Sequence, residues 1–203
     1  MPDRNAEIPR PAEEADAIRM TRPRAGVALV SIVSAPLGVL RHAFKRALWS
    51  ALRRLEADPE VRCLVLTGAG KAFSVGSDIR DFSQDVGWLL ENDYWEAGLN
   101  HAIEDARFPV IAACNGHTLG GGVVLALACD IRVASASAKF GFPEVKVGAF
   151  ASGSGTQRLP RLVGRGRALD LLLTGRIIDA SEGRQAFLEK RPARFNVNEP
   201  REE

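Results

Sequence analysis

Apolar residues follow two spacings along this chain, and the spacings predict an alternation of strands and helices. Short runs rich in Val, Ile and Leu have the length and composition of buried strands. Longer segments repeat their apolar residues every three or four positions, which is typical of amphipathic helices. The predicted strands are 26–33, 63–67, 109–114 and 131–134, and the predicted helices are 36–57, 88–106 and 119–129. This alternation indicates an α/β fold in which crossover helices join parallel strands.

The first 24 residues differ in composition from the rest, since they contain four prolines, five acidic residues and five arginines. A segment with so few apolar residues predicts a flexible polar arm. We therefore divide the chain into an N-terminal arm, 1–24, a folded core, 25–179, and a C-terminal helix and tail, 180–203.

The overall composition is that of an ordinary folded protein, with 46% hydrophobic and 26% charged residues. A formal net charge of +2 gives no reason to expect nucleic acid or an anionic membrane as the main partner. The odd, widely spaced set of Cys63, Cys114 and Cys129 argues against a disulfide framework or a zinc site. The three histidines are scattered as well, so we expect no metal and a cytoplasmic protein.

One stretch, 108–129, contains no Asp, Glu, Lys or Arg and has to be considered as a membrane span. It carries Pro109, Asn115 and a run of three glycines, 120–122. These residues fit a buried strand, a turn and a buried helix better than a continuous span. We therefore expect no membrane partner.

The glycine run 120–122 stands at the predicted start of an apolar helix. A helix N-terminus offers unpaired backbone N–H groups and the positive end of the helix dipole. Without side chains in the way, a ligand oxygen can approach these N–H groups. The same glycines would also permit tight packing of the helix on a strand, and on spacing alone both interpretations stay open.

A second glycine turn follows the strand 63–67 and contains Gly76, Ser77 and Asp78. Gly76 allows a sharp turn that would expose the N–H of Ser77, and Asp78 is favoured as a helix cap. We do not favour Ser77 as a nucleophile, because no histidine lies at a motif spacing. Two N–H groups from separate turns, aimed at one point, would form an oxyanion hole.

Taken together, these segments resemble the crotonase superfamily, the enoyl-CoA hydratase/isomerase family. The resemblance runs in the family's order over roughly residues 26–179 and rests on several stretches. They include Gly76-Ser77-Asp78-Ile79, Leu119-Gly120-Gly121-Gly122 and Gly141-Phe142-Pro143-Glu144. The resemblance implies a spiral of repeated strand–strand–helix units with C-terminal helices, assembled as a homotrimer or a dimer of trimers.

The resemblance also implies roles for particular residues. The backbone N–H groups of Ser77 and Gly121 would bind the thioester carbonyl of an acyl-CoA and stabilise an enolate. Glu144 matches one of the family's two acid/base glutamates. The stretch Ser77-Asp78-Ile79-Arg80 resembles the segment that contacts coenzyme A, and Arg80 has the reach to bind a phosphate. Coenzyme A enters as part of the substrate, so no separate cofactor is expected.

The chain departs from the family at Val124, where hydratases carry their second glutamate. With Glu144 as the single carboxylate, moving a 3-enoyl double bond to position 2 is simpler chemistry than adding water. We therefore expect an isomerase, with an enoyl-CoA hydratase as the alternative. Another acid could replace the missing glutamate in space, and the candidates are Asp81, Asp85, Glu91, Asp93 and Glu96.

Two further hypotheses remain. The helical segment that the family carries before its final helix is missing near residue 180, which leaves open a catalytically impaired subunit for coenzyme A binding or assembly. An acid-free row of basic residues on the predicted helix 36–57, Arg41, Lys45, Arg46, Arg53 and Arg54, also raises RNA binding. A solvated helix face explains that row more simply, so nucleic acid is not an expected partner.

Overall fold

The computed structural model describes residues 17–34, 37–81 and 85–182, and two β-sheets form its framework. The strands, numbered along the chain, are β1 Ile18–Arg24, β2 Val27–Ile32, β3 Cys63–Gly68, β4 Ala72–Ser74, β5 Val110–Cys114, β6 His117–Leu119, β7 Ile131–Ala134, β8 Lys139–Gly141 and β9 Ile177–Asp179. The first sheet has the order β1-β2-β3-β5-β7 and the second the order β4-β6-β8-β9. Each sheet is parallel except at one edge, where β1 and β9 run antiparallel to their neighbours.

The helices are α1 His42–Ala57, α2 Val86–Glu104, α3 Gly121–Ala128, α4 Gly155–Val163 and α5 Arg165–Thr174. Two 3₁₀ turns, Ile79–Asp81 and Pro143–Val147, follow β4 and β8. The core forms where the inward residues of the first sheet, such as Leu64 and Leu66, meet the apolar face of α1. Alternate residues along β3 and β5 point into this core, as the period of two along a strand requires.

The predicted strands 63–67, 109–114 and 131–134 are confirmed within one residue at each end, and so is the α/β class. The helix predicted over 36–57 begins instead at His42. Val39 forms a β-bridge with Gly76, and the N–H of Leu40 donates to the carbonyl oxygen of Gly76 at 2.9 Å. This pairing with the glycine turn keeps the chain extended just before the helix.

The prediction of a flexible arm over 1–24 is wrong for its last seven residues, which form β1. Ile18 and Met20 are buried, and β1 pairs antiparallel with β2. The run Ile18-Arg19-Met20-Thr21 alternates apolar and polar residues, so one face of the strand packs on the core. Residues 1–16 of the predicted arm lie outside the described residues.

The predicted C-terminal segment 180–203 also lies outside the described residues, apart from a helical start at 180–182. Among the residues that the structure describes, no helix is both long enough and apolar enough to cross a membrane.

Candidate active site

Three neighbouring parallel strands bring the sequence-predicted site residues together. β4, β6 and β8 lie side by side in the second sheet, with Ser74 paired to Thr118 and Leu119 paired to Gly141. The carboxyl ends of parallel strands meet at one edge, which is where α/β folds place their ligands. The turns that leave this edge carry Ser77 after β4, Gly121 after β6 and Glu144 after β8.

The two glycine turns touch each other at this edge. A Cβ atom built on Gly76 would lie only 2.8 Å from the amide nitrogen of Gly121, and Gly76 has a φ of +89°. A Cβ atom built on Gly121 would lie 3.8 Å from the amide nitrogen of Ser77. Within the described part of the chain, neither of these two amides donates to an acceptor. The arrangement leaves two adjacent N–H groups available to one oxygen atom, which is the requirement for an oxyanion hole.

A cavity of about 280 Å³ opens beside these amides. Its wall includes the turns just described and the side chains of Glu96, Val124 and Glu144. Ile79, Val147 and Phe150 also line it and are largely exposed, so the mouth of the cavity is apolar. A mainly apolar cavity with a few convergent polar groups is the usual form of a small-molecule site.

Glu144 is the acidic group of this cavity whose carboxylate has an unused oxygen. Its Oε2 is buried and has no hydrogen-bond partner among the described residues, and its Oε1 would lie 3.2 Å from a Cβ atom on Gly120. Burial raises the pKa of Glu144, the hydrogen bond from its own backbone N–H opposes this, and the nearby charge of Glu96 raises it further. A carboxylate in this setting is suited to accept a proton and return it.

Unlike Glu144, Glu96 has hydrogen-bond donors at both of its carboxylate oxygens. Its Oε1 accepts hydrogen bonds from Lys45 Nζ at 2.7 Å and from Ser77 Oγ at 2.7 Å, and its Oε2 accepts one from Ser152 Oγ at 2.6 Å. Burial, the largest influence, would raise the pKa of Glu96, but the charge of Lys45 and the three hydrogen bonds outweigh it. The pKa of Glu96 therefore lies below its ordinary value, and the group is a carboxylate at neutral pH.

Val124 occupies the cavity wall between these groups with an apolar side chain. It is 2% exposed, and it packs so closely on the start of α4 that a Cβ atom built on Gly155 would lie only 2.7 Å from one of its methyl groups. Of the five acids that the sequence offers as substitutes for a second glutamate, Glu96 is the one that lines this cavity. The sequence alone leaves Glu96 as one of five candidates, because it does not show which side of α2 faces the cavity.

The stretch Ser77-Asp78-Ile79-Arg80 runs along the mouth of the cavity. Asp78 is buried and accepts hydrogen bonds from the backbone N–H of Arg80 at 3.1 Å and from Arg80 Nη2 at 2.7 Å. The predicted capping role of Asp78 is thus confirmed for one N–H group, at a 3₁₀ turn. Hydrogen bonds from Arg80, followed by one from Arg41, hold the pKa of Asp78 well below its usual range. The side chain of Arg80 is 75% exposed while its guanidinium group is paired to Asp78.

The interpretation of α1 as carrying an exposed basic row is wrong for Lys45. This lysine is 2% exposed and donates to Asn92 Oδ1 at 2.6 Å as well as to Glu96. The sequence carried a signal for its burial, since Lys45 lies three and seven positions before Leu48 and Leu52 of the apolar stripe.

Comparison with known proteins agrees with this geometry. Residues 22–186 match the family model described as enoyl-CoA hydratase/isomerase. The chain belongs to the enoyl-CoA hydratase/isomerase family. The resemblance to the crotonase superfamily, and the crotonase-type fold that it implies, are thereby confirmed.

Two relatives illustrate how far the family likeness extends. The chain is 38% identical over 158 residues to a probable enoyl-CoA hydratase of Mycobacterium leprae. The aligned region covers 76% of this chain and 60% of the relative. It is 39% identical over 189 residues to the mevalonyl-coenzyme A hydratase SIDH of Beauveria bassiana, covering 89% of this chain and 64% of that protein. The chain thus spans less than two thirds of the length of these family members.

Solved structures of the family superimpose closely on this fold. The enoyl-CoA hydratase of Bacillus anthracis matches with a TM-score of 0.80 and 33% identity, over 87% of this chain and 69% of that one. An enoyl-CoA hydratase structure from Geobacillus kaustophilus matches with a TM-score of 0.84 and 28% identity, over 92% of this chain and 70% of that one.

Proposed function

We propose that this protein moves the double bond of a 3-enoyl-CoA to position 2 through a thioester enolate. The observation that carries the proposal is one cavity holding two adjacent backbone N–H groups, from Ser77 and Gly121, and one buried carboxylate with an unused oxygen, Glu144. An acyl-CoA is a substrate of the class that the family's name describes.

In the proposed reaction, Glu144 takes a proton from the carbon next to the thioester carbonyl. The electrons of that C–H bond move toward the carbonyl oxygen, and the N–H groups of Ser77 and Gly121 stabilise the negative charge that develops there. Glu144 then returns the proton to carbon 4, and the double bond comes to rest between carbons 2 and 3. In acyl-transfer enzymes, loss of one such donor reduces the rate by about 10²–10³.

Isomerisation is favoured over hydration because the other wall groups are unsuited to activating water. Val124 presents only methyl groups to the cavity. The carboxylate oxygens of Glu96 already accept hydrogen bonds from Lys45, Ser77 and Ser152, and its lowered pKa makes it a weak base. A single proton carrier, Glu144, is sufficient for the double-bond shift.

Hydration of a 2-enoyl-CoA is the second candidate. The observation that favours it is that Glu96 lines the same cavity as Glu144, so two carboxylates lie at the site. The names of the relatives in Mycobacterium leprae and Beauveria bassiana, both hydratases, point in the same direction.

The two candidates are separated by offering the purified protein a 3-enoyl-CoA and, separately, a 2-enoyl-CoA. We expect the 3-enoyl-CoA to gain the absorbance of a conjugated thioester. Formation of a 3-hydroxyacyl-CoA from the second, without isomerisation of the first, would establish hydration instead. If neither reaction occurs while a CoA thioester still binds, the protein is a non-catalytic binding or assembly subunit.

We further propose that the protein assembles as a trimer or a dimer of trimers in the cytoplasm. The assembly proposal rests on the family resemblance and on apolar side chains that one copy leaves exposed, such as Leu90, Tyr94, Val133 and Leu173. Sedimentation equilibrium would test the oligomer, with a monomeric mass at micromolar concentration as the contrary result. The location rests on cysteine usage, and cell fractionation would test it.

A further inference from the structure

Helix α2 carries a row of polar side chains, each four residues after the last, on the face that contacts α1 and α4. Such residues lie on one face of a helix. The row consists of Asn92, Glu96, Asn100 and Glu104. Asn92 accepts from Lys45, Asn100 donates to the carbonyl oxygen of Gly153 at 3.0 Å, and Glu104 pairs with Arg158 at 2.7 Å. The row therefore links α2 to α1, to the turn before α4 and to α4 itself.

Glu96 is the member of this row that contacts the oxyanion hole. It joins three separate segments: Lys45 on α1, Ser77 in the turn after β4, and Ser152 in the turn before α4. The buried ammonium group of Lys45 lies 2.7 Å from the Glu96 carboxylate and balances its charge. A charged acceptor also makes each of these hydrogen bonds stronger than a neutral one.

Ser77 requires such an anchor because of the residue before it. The direction of the Ser77 N–H depends on the peptide plane between Gly76 and Ser77, and glycine restricts that plane less than any other residue. On one side, the carbonyl oxygen of Gly76 accepts from the N–H of Leu40 at 2.9 Å. On the other side, the hydroxyl group of Ser77 donates to Glu96 at 2.7 Å. Hydrogen bonds on both sides of this peptide group, at the Gly76 carbonyl and at the Ser77 hydroxyl, thus fix its orientation.

We propose that Glu96 is a positioning residue that, with Lys45 as its counter-charge, fixes the Ser77 N–H in the oxyanion hole through the Ser77 hydroxyl group. The inference rests on the proposed function, since it assigns the hole to enolate stabilisation. It gives the side chain of Ser77 a role separate from its backbone N–H. The negative charge of Glu96 also contributes to the raised pKa of Glu144, so the same carboxylate favours proton transfer.

The catalytic test compares two variants, each of which removes one serine hydroxyl group that donates a hydrogen bond to Glu96. Ser77→Ala keeps the backbone N–H but removes its anchor, and Ser152→Ala removes a hydroxyl group that belongs to the other turn. We expect Ser77→Ala to lower kcat for the 3-enoyl-CoA about tenfold with little change in KM, which is less than the loss of a whole donor. We expect Ser152→Ala to act mainly on KM. Equal losses of kcat in both variants would overturn the proposal.

A second measurement decides the question without any turnover. Hydrogen exchange of the amides in residues 76–80 is followed in the parent, Ser77→Ala and Ser152→Ala proteins without ligand. Faster exchange of this segment is expected in Ser77→Ala alone, because local opening is easier when the anchor is lost. Equal exchange in the parent and Ser77→Ala would overturn the positioning role. A parent protein that turns over no enoyl-CoA would instead overturn the proposed function, and the exchange result would still stand.

Discussion

Glu96 and Glu144 line the same cavity, yet their pKa values are displaced in opposite directions. For both groups the largest influence is burial, which favours the protonated form. Lys45 and three hydrogen bonds reverse that influence at Glu96, whereas Glu144 has an oxygen without a partner. Two carboxylates with separated pKa values can have different roles in one site, because one stays an anion while the other can exchange a proton.

Replacing Glu144 by Gln removes the proposed proton carrier while keeping the size of the side chain. We expect kcat for 3-enoyl-CoA isomerisation to fall by about 10²–10⁴, the usual contribution of a general base, with KM nearly unchanged. The exposed Glu91→Gln on α2 is the matched control and is expected to retain parental kinetics. Activity of Glu144→Gln within a few-fold of the parent would rule out the base role.

The pH dependence of the reaction should report the raised pKa of Glu144. The base form is required, so activity is present above this pKa and is lost as the pH falls through it. We expect the acidic limb of kcat/KM to lie above the ordinary glutamate value of 4.5. Because the phosphates of coenzyme A titrate as well, the profile is repeated with a pantetheine thioester that lacks them. A limb at or below 4.5 with both substrates would contradict the prediction.

The buried pair of Lys45 and Glu96 makes a prediction about stability. Lys45→Met leaves the Glu96 carboxylate buried without its counter-charge, which we expect to lower the free energy of unfolding by about 3–5 kcal/mol. Adding Glu96→Gln should recover most of that loss, since no uncompensated charge then remains. Urea unfolding measures both. Equal stability of the single and double variants would show that the pair is not coupled.

A matched control for this pair exists on the surface. Arg22 and Glu60 approach to 3.4 Å, but the side chain of Glu60 is 81% exposed. Water screens such a contact, so we expect Glu60→Gln to change the urea midpoint little. A loss as large as that in Lys45→Met would mean that burial does not set the strength of these ion pairs.

Two glycine substitutions should have opposite effects on the free energy of unfolding. A Cβ atom on Gly122 would overlap the backbone of Ser74, so Gly122→Ala must displace α3 and is expected to destabilise by about 1–3 kcal/mol. A Cβ atom on Gly98, inside α2, would lie 3.6 Å from Trp49, an ordinary contact. Gly98→Ala is therefore expected to stabilise by about 0.5–1 kcal/mol through helix propensity. Thermal unfolding of both variants provides the comparison, and a shift of the same sign in each would contradict it.

The sequence predicts the elements whose stability comes from a regular apolar pattern. The strands around Leu64 and Ala112 and the long helix α2 lie within two residues of where their spacing places them. β4, β6, β8 and β9 have three residues each, too few for a period of two to show. The start of α1 was set by pairing between Val39 and Gly76, a contact between distant parts of the chain that no local pattern contains.

The candidate site also contains residues that the sequence predicts and one, Glu96, that it does not single out. The turns with Ser77, Gly121 and Glu144 follow motifs that the resemblance supplies, and the structure brings them to one edge of the second sheet. The position of Glu96 could not be predicted, because it depends on how α2 is rotated against α1. Lys45, placed in the apolar stripe of α1, indicates that an acidic group must be buried against α1, but it does not identify which one.

The second sheet also bears on the order in which the protein folds. Its four short strands come from widely separated places between Ala72 and Asp179, so it contains no locally formed hairpin. Every pairing in the second sheet has to close a loop between distant segments, whereas the first sheet can start from the local β1–β2 hairpin. We expect the first sheet and α1 to gain protection before the second sheet in pulsed hydrogen exchange. Catalytic competence would then be the last property that the folding chain acquires.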